Sequence, residues 1–146
     1  MATYSHLLIG LDLSPESQQV VDRVKQLFAD RDVKISICHI LEPLAFTYGG
    51  DIPVDLSDVQ GQVEDQARTR LAALAEQLAI PEEDQHIVLG QPANEMRRMA
   101  KEEDVDLIIV GSHGRHGLAL IFGSTSNSVL HGAPCDVLAV RIAEDD

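Results

Sequence analysis

The sequence predicts an α/β fold: a single domain over residues 1–146, built on an open, parallel, five-stranded sheet with helices on both faces. Three observations carry this. Short apolar or β-branched runs alternate with segments of helical period along the chain, the pattern of repeated strand-helix-strand units. Leu107-Ile108-Ile109-Val110 is apolar at every position, as in a strand covered on both faces. The length, 146 residues, suits one domain that buries roughly two thirds of the surface its unfolded chain exposes.

The first strand lies within His6 to Asp12, apolar at Leu7, Leu8 and Ile9. Ser14-Pro15-Glu16 then reads as a helix start, with a capping hydroxyl, proline at the first helical position and an acid in the first turn. Val20, Val24, Leu27 and Phe28 recur at helical spacing, with Val21 beside them. Val33 to Leu41 is β-branched and apolar at Val33, Ile35, Ile37 and Ile40 and predicts the second strand. Glu42 to Leu56, with Pro43, Gly49, Gly50 and Pro53, is a long connection.

Ser57-Asp58 opens a helix with the apolar face Val59, Val63, Ala67, Leu71, Leu74 and Leu78, and Glu64 and Arg68 pair one turn apart outside it. Pro81 ends that helix. Gln85 to Leu89 is the third strand, and Gly90-Gln91-Pro92 turns into a helix whose Met96, Met99 and Ala100 read as core filler. Leu107 to Val110 is the fourth strand, Gly132-Ala133-Pro134 punctuates the chain, and Asp136 to Ile142 is the fifth, before the charged tail Glu144-Asp145-Asp146.

Two strand orders compete. Ligands of open parallel sheets bind beyond the carboxyl ends of strands where the order reverses. In 2-1-3-4-5 the reversal would place functional loops after Asp12 and Leu89. In 3-2-1-4-5 it lies between the first and fourth strands. The glycine cluster follows the fourth strand, so 3-2-1-4-5 is the expected order.

That cluster is Gly111-Ser112-His113-Gly114, read as a loop that opens directly after Val110, with Gly123-Ser124-Thr125-Ser126-Asn127 where a new helix would start. Glycines let a backbone approach an anion, and helix-start N–H groups and hydroxyls supply donors. The bland alternative is a set of tight turns. The spacing matches neither Gly-x-x-x-x-Gly-Lys-Ser/Thr nor Gly-x-Gly-x-x-Gly, and no Gly-x-Ser-x-Gly elbow exists. Asp12, beside the expected crevice, reads either as an acceptor for a sugar hydroxyl or as a turn residue before Ser14. His113, His116 and Arg115 read as donors near a phosphate or as polar loop residues. Together with His39 and His131 the histidines lack the carboxylates and thiols of a metal site.

A formal charge of −13, with 24 acidic against 11 basic residues, repels phosphate backbones and anionic lipid, and the cations are not clustered. Nucleic-acid and membrane binding are excluded as the main task. No apolar run reaches the ~20 residues of a membrane span, and the start carries no signal-peptide core, so a cytoplasmic location is expected. Cys38 and Cys135, far apart and beside apolar runs, are expected as reduced, buried thiols.

Over nearly its whole length the chain resembles the universal stress protein family. The resemblance rests on His6-Leu7-Leu8-Ile9-Gly10-Leu11-Asp12-Leu13-Ser14, on Cys38-His39-Ile40-Leu41, on Val105-Asp106-Leu107-Ile108-Ile109-Val110-Gly111-Ser112-His113-Gly114, and on Gly123-Ser124 leading to Cys135-Asp136-Val137-Leu138-Ala139-Val140. The ATP-binding branch carries Gly-x2-Gly-x9-Gly-Ser/Thr. Gly111, Gly114, Gly123 and Ser124 fit, with eight residues where the pattern has nine.

The resemblance implies ATP, with magnesium or manganese held mainly by its phosphates. It puts Asp12, with Gly10 and Leu11 before it, near ribose and adenine, the backbone around Ile40 on adenine, and Val110 along the adenosine site. Gly111, Gly114, Arg115, Gly123, Ser124, Thr125 and Ser126 would surround the phosphates. It also implies a homodimer through the fifth strand, in agreement with the apolar edge Val137 to Ile142.

The expected function is therefore an ATP-binding stress-response regulator, a dimeric switch or slow timer with room for an unidentified regulatory partner. Nothing beside the glycines marks a group that would orient a hydrolytic water, so any ATPase activity is expected to be slow. The alternative is a nucleotide-free dimeric adaptor.

Overall fold

The computed structural model describes residues 4–42, 57–113 and 132–143. Five strands form one parallel sheet: β1 (His6–Gly10), β2 (Lys34–Leu41), β3 (Gln85–Leu89), β4 (Leu107–His113) and β5 (Asp136–Ile142). The order is β3-β2-β1-β4-β5, the 3-2-1-4-5 arrangement expected from the sequence. The described helices are α1 (Ser17–Phe28), α2 (Ser57–Gln77) and α3 (Pro92–Glu102).

Strand alternation sorts the core into two layers. Leu7, Ile9, Ile37, Leu107, Ile109, Val140 and Ile142 pack with Val20, Val21 and Val24 of α1 and Leu71 and Ala75 of α2. Leu8, Cys38, Ile40, Ile108 and Val110 pack on the other face with Ala93, Met96, Met99 and Ala100 of α3. β1 and β4 are central and buried on both faces, which is why their sequences are apolar without alternation. Leu7, Ile9, Ile108 and Ile109 are fully buried, and each such side chain contributes about 1.5–3 kcal/mol by leaving water.

Three local expectations are corrected. Ser14 does not cap α1, because its hydroxyl donates to Asp12 Oδ1 at 2.6 Å; the helix starts at Ser17, with Glu16 in the capping position and no side-chain cap. The glycine after Val110 does not open a loop: β4 continues through Gly111, Ser112 and His113, paired with Val140, Arg141 and Ile142 of β5. The outer ends of two apolar faces stay wet, with Leu27 at 43% and Val59 at 47% exposure.

Helix ends explain the connections. Pro92 occupies the first turn of α3, and Gln91 Oε1 accepts from the Asn94 N–H at 2.7 Å. α2 stops before Pro81: the Ile80 and Ala79 N–H groups bond the Ala75 and Glu76 carbonyls at 3.0 and 3.1 Å, with Ala79 at φ 55°. This is a Schellman closure with alanine where glycine is usual. The Glu64–Arg68 pair forms at 3.1 Å.

At the amino-terminal edge of the sheet, buried His6 bridges two elements. Its Nδ1 donates to the Glu103 carbonyl at 3.1 Å, which leaves Nε2 to accept from the Ser36 hydroxyl at 2.8 Å. At the carboxyl edge, Gln19 of α1 exchanges two 2.8 Å hydrogen bonds with the Ala143 backbone and pins the end of β5.

Candidate functional site

The order reverses between β1 and β4, so their carboxyl ends define the crevice where an open parallel sheet binds ligands. β1 leaves the sheet through Leu11, whose N–H donates to the Cys38 carbonyl of β2 at 3.0 Å. The chain then turns sharply, with Leu13 at φ 62°. A side chain in that left-handed region costs about 1–2 kcal/mol, and the turn persists because Asp12 holds it.

Asp12 Oδ1 accepts three donors: the Ser14 N–H at 2.9 Å, the Ser14 hydroxyl at 2.6 Å and the Ser17 hydroxyl at 3.1 Å. Ser17 is buried, so the carboxylate ties the turn to the first residue of α1. Among the described residues Oδ2 has no donor. The two sequence readings of Asp12 are thus compatible: one oxygen builds the turn, and the other is left to accept a further hydrogen bond.

From the neighbouring strand on the other side of β1, His39 of β2 reaches the same turn, with Nδ1 at 2.7 Å from the Leu11 carbonyl. A carbonyl only accepts, so Nδ1 carries the proton. The sequence already places His39 on the second strand; its hold on the Leu11 backbone is what the structure adds.

The remaining site residues separate by face. Gly111 lies on the α1 side, where Leu11, Asp12, Glu16, Val20 and Ile142 join it around a small cleft. A β-carbon there would come within 3.2 Å of Ile142 Cδ1 and 3.3 Å of Val20 Cγ2, so packing already accounts for this glycine. Gly10 faces α3 and lies against Met96. Val110 is fully buried in the α3-side core, with Ile40 nearly so. Gly114, Arg115, Gly123, Ser124, Thr125 and Ser126, with His116 and His131, lie outside the described residues.

Electrostatics divide the crevice. Asp12 and Glu16 put negative charge at the α1 end, which suits hydroxyl donors and repels phosphate. Cys38, beside β1, is no nucleophile: burial pushes its thiol up to about 12. Cys135 is a half-buried free thiol whose pKa is also raised, by burial and by nearby Asp136 and Asp106. Among the described residues no group of three or more His, Cys, Asp or Glu could hold a metal, and no helix is long and apolar enough to cross a membrane.

Leu13, Ser17 and His39 escape the sequence reading of the site. The pair Asp12-x-Ser14 holds a signal for the turn through Leu13, since a carboxylate commonly bonds the backbone two residues on; no spacing rule marks Ser17.

A model of the universal stress protein family matches residues 3–141. The chain belongs to that family. Universal stress protein A homolog 2 of Coxiella burnetii is 44% identical over 144 residues, covering 97% of this chain and 98% of the relative. Two solved structures share the fold. Hypothetical protein MJ0577 superposes with a TM-score of 0.79 at 21% identity, over 99% of this chain and 100% of its own. A universal stress protein in complex with cAMP gives 0.68 at 23% identity, over 97% and 100%. In this universal stress protein, then, the crevice at β1 and β4 sits on a sheet that distant relatives retain.

Proposed function

We propose that this universal stress protein binds ATP in the crevice between β1 and β4 and acts in the cytoplasm as a nucleotide-dependent dimeric switch or slow timer. The observation that carries the reading is the Asp12 turn at the reversal of strand order, with Oδ2 free of donors among the described residues. A ribose hydroxyl would donate to Oδ2, beside Gly10 and Leu11, and adenine would lie along the β2 backbone at Ile40, near Val110.

The triphosphate is assigned to Gly111, Gly114, Arg115, Gly123, Ser124, Thr125 and Ser126, where glycines let the backbone approach an anion and hydroxyls and N–H groups donate, with Arg115 offsetting the negative charge of Asp12 and Glu16. Magnesium or manganese would be held there by the phosphates, supplying charge neutralisation. The structural neighbour in complex with cAMP lends support, because cAMP is also an adenine nucleotide. β5, an edge strand paired only with β4 among the described residues, would join two copies.

One observation favours the nucleotide-free adaptor as a second reading: Gly10 and Gly111 both have packing neighbours that explain them without a ligand. Native mass spectrometry of the purified protein, followed by calorimetry with ATP and with cAMP, separates the two. Micromolar ATP binding, abolished in Gly123→Val, is the expected result. Equal affinity in wild type and variant would assign the glycine loop to turns, and no binding of either nucleotide would leave the adaptor.

A further inference from the structure

We infer that His39 is the positioning residue of the Asp12 turn, through the hydrogen bond from its Nδ1 to the Leu11 carbonyl. The β1–β2 ladder ends at Gly10 and Cys38, with one last bond from the Leu11 N–H to the Cys38 carbonyl at 3.0 Å. Beyond it the strands are linked by a side chain, His39 Nδ1 to the Leu11 carbonyl at 2.7 Å. Leu11 is 2% exposed, and this ring is the partner its carbonyl has among the described residues. Both polar groups of Leu11 are therefore fixed from β2, immediately before Asp12 and the left-handed Leu13.

The bonds to Asp12 Oδ1 cannot replace this link. They come from Ser14 and Ser17 and tie the carboxylate to α1, without setting the Leu11–Asp12 peptide against β2. If the ring donor is lost, a nearly buried carbonyl is left unpaired, a state costly enough for the peptide to rotate toward water. Rotation re-aims Asp12. His39 thus couples β2, the strand assigned to adenine, to the carboxylate assigned to ribose. The inference rests on the ATP reading for its consequence, and on the hydrogen bond alone for its geometry.

The test uses the full chain with His39→Asn, which keeps an N–H donor near the Nδ1 position, and His39→Phe, which keeps a ring without one. In wild type, long-range ¹⁵N–¹H spectra should show a proton on Nδ1 of His39. The Ser14 amide should be protected from exchange in wild type and in His39→Asn, and should lose protection in His39→Phe. Calorimetry with ATP should show affinity weakened about tenfold or more by His39→Phe, equivalent to ~1.4 kcal/mol, and kept within about threefold by His39→Asn. An Nδ1 without a proton, unchanged Ser14 exchange in His39→Phe, or equal ATP affinity across the set would each overturn the inference. Wild type that binds no ATP would overturn the nucleotide reading instead, with Ser14 exchange still deciding the positioning role.

Discussion

Met96 fills the space that a side chain at Gly10 would need: a β-carbon on Gly10 would lie 2.3 Å from Met96 Cε and 2.8 Å from its Sδ. Met96 is 1% exposed in the α3-side core, so the thioether has little free volume to move into. Its terminal torsions are nonetheless flexible, which sets the scale of the clash. Gly10→Ala should destabilise by about 1–3 kcal/mol, as overpacking does. In a Met96→Ala background, itself about 2–5 kcal/mol less stable, the same substitution should cost far less. Denaturant unfolding of the four proteins gives the coupling; additive effects would show that Gly10 answers to something other than Met96.

Asp106 ties down the chain where it enters β1. Its Oδ2 accepts from the Ser5 N–H and hydroxyl, both at 2.8 Å, and its Oδ1 from the His6 N–H at 3.0 Å. Burial pushes this carboxyl up, but the backbone and hydroxyl donors of Ser5 and His6 outweigh it and hold the pKa below the ordinary value. A depressed folded pKa contributes stability that is fully present above the unfolded value and is lost as pH falls through the folded one. Because the Ser5 donors are exposed and water can replace the carboxylate there, Asp106→Asn should cost only about 0.5–1.5 kcal/mol at neutral pH. The gap should narrow on acidification below about pH 4. Urea melts of both proteins across that range provide the check, and a gap independent of pH would contradict the sign.

The fold was legible because its signals are redundant. β3 and β5 fall on their predicted residues, Gln85–Leu89 and Asp136–Ile142, and the placement of glycines after the fourth strand selects the order that the sheet adopts. The site was legible in part. Asp12 stands out in the sequence, but its bonding does not, because a hydroxyl before proline reads equally as a helix cap or as a donor to the preceding carboxylate. Gly111 misleads, since glycine after an apolar run signals a loop by local chemistry, whereas here it admits Ile142 and Val20 to a strand that continues. His39 depends on a contact across 28 residues, and no periodicity or spacing rule reaches that far.

The closure of α2 makes a stability prediction that touches no site residue. Ala79 sits at φ 55° and its N–H bonds the Glu76 carbonyl at 3.1 Å. Alanine there bears about 1–2 kcal/mol of left-handed strain, while glycine would forfeit roughly 0.4–1 kcal/mol through a freer unfolded chain. Ala79→Gly should accordingly stabilise by about 0.5–1 kcal/mol. Ala79→Val should do the reverse, since a β-branched residue tolerates this region least. Thermal melts of the pair settle it, and a destabilising glycine would mean that the Schellman closure is less regular in solution.

The proposed dimer can be probed without harming the subunit, because β5 presents its side chains unevenly. Val140 and Ile142 are buried and Val137 is half-buried against the α3-side core, so charge at Val137 would weaken the fold as well as any interface. Ala139 is exposed, in register with Val110 of β4. Lysine there places like charges close together if two β5 edges pair about a two-fold axis, and lysine is a residue that natural edge strands use against pairing. Ala139→Lys should therefore yield a monomer by light scattering at a concentration where wild type is dimeric. Its unfolding should lose concentration dependence, with intrinsic subunit stability changed by no more than about 0.5 kcal/mol. Wild type that is monomeric at tens of micromolar, an order-of-magnitude level at which a specific interface should hold, would remove the dimer from the proposed switch. A variant that stays dimeric would move the interface away from β5.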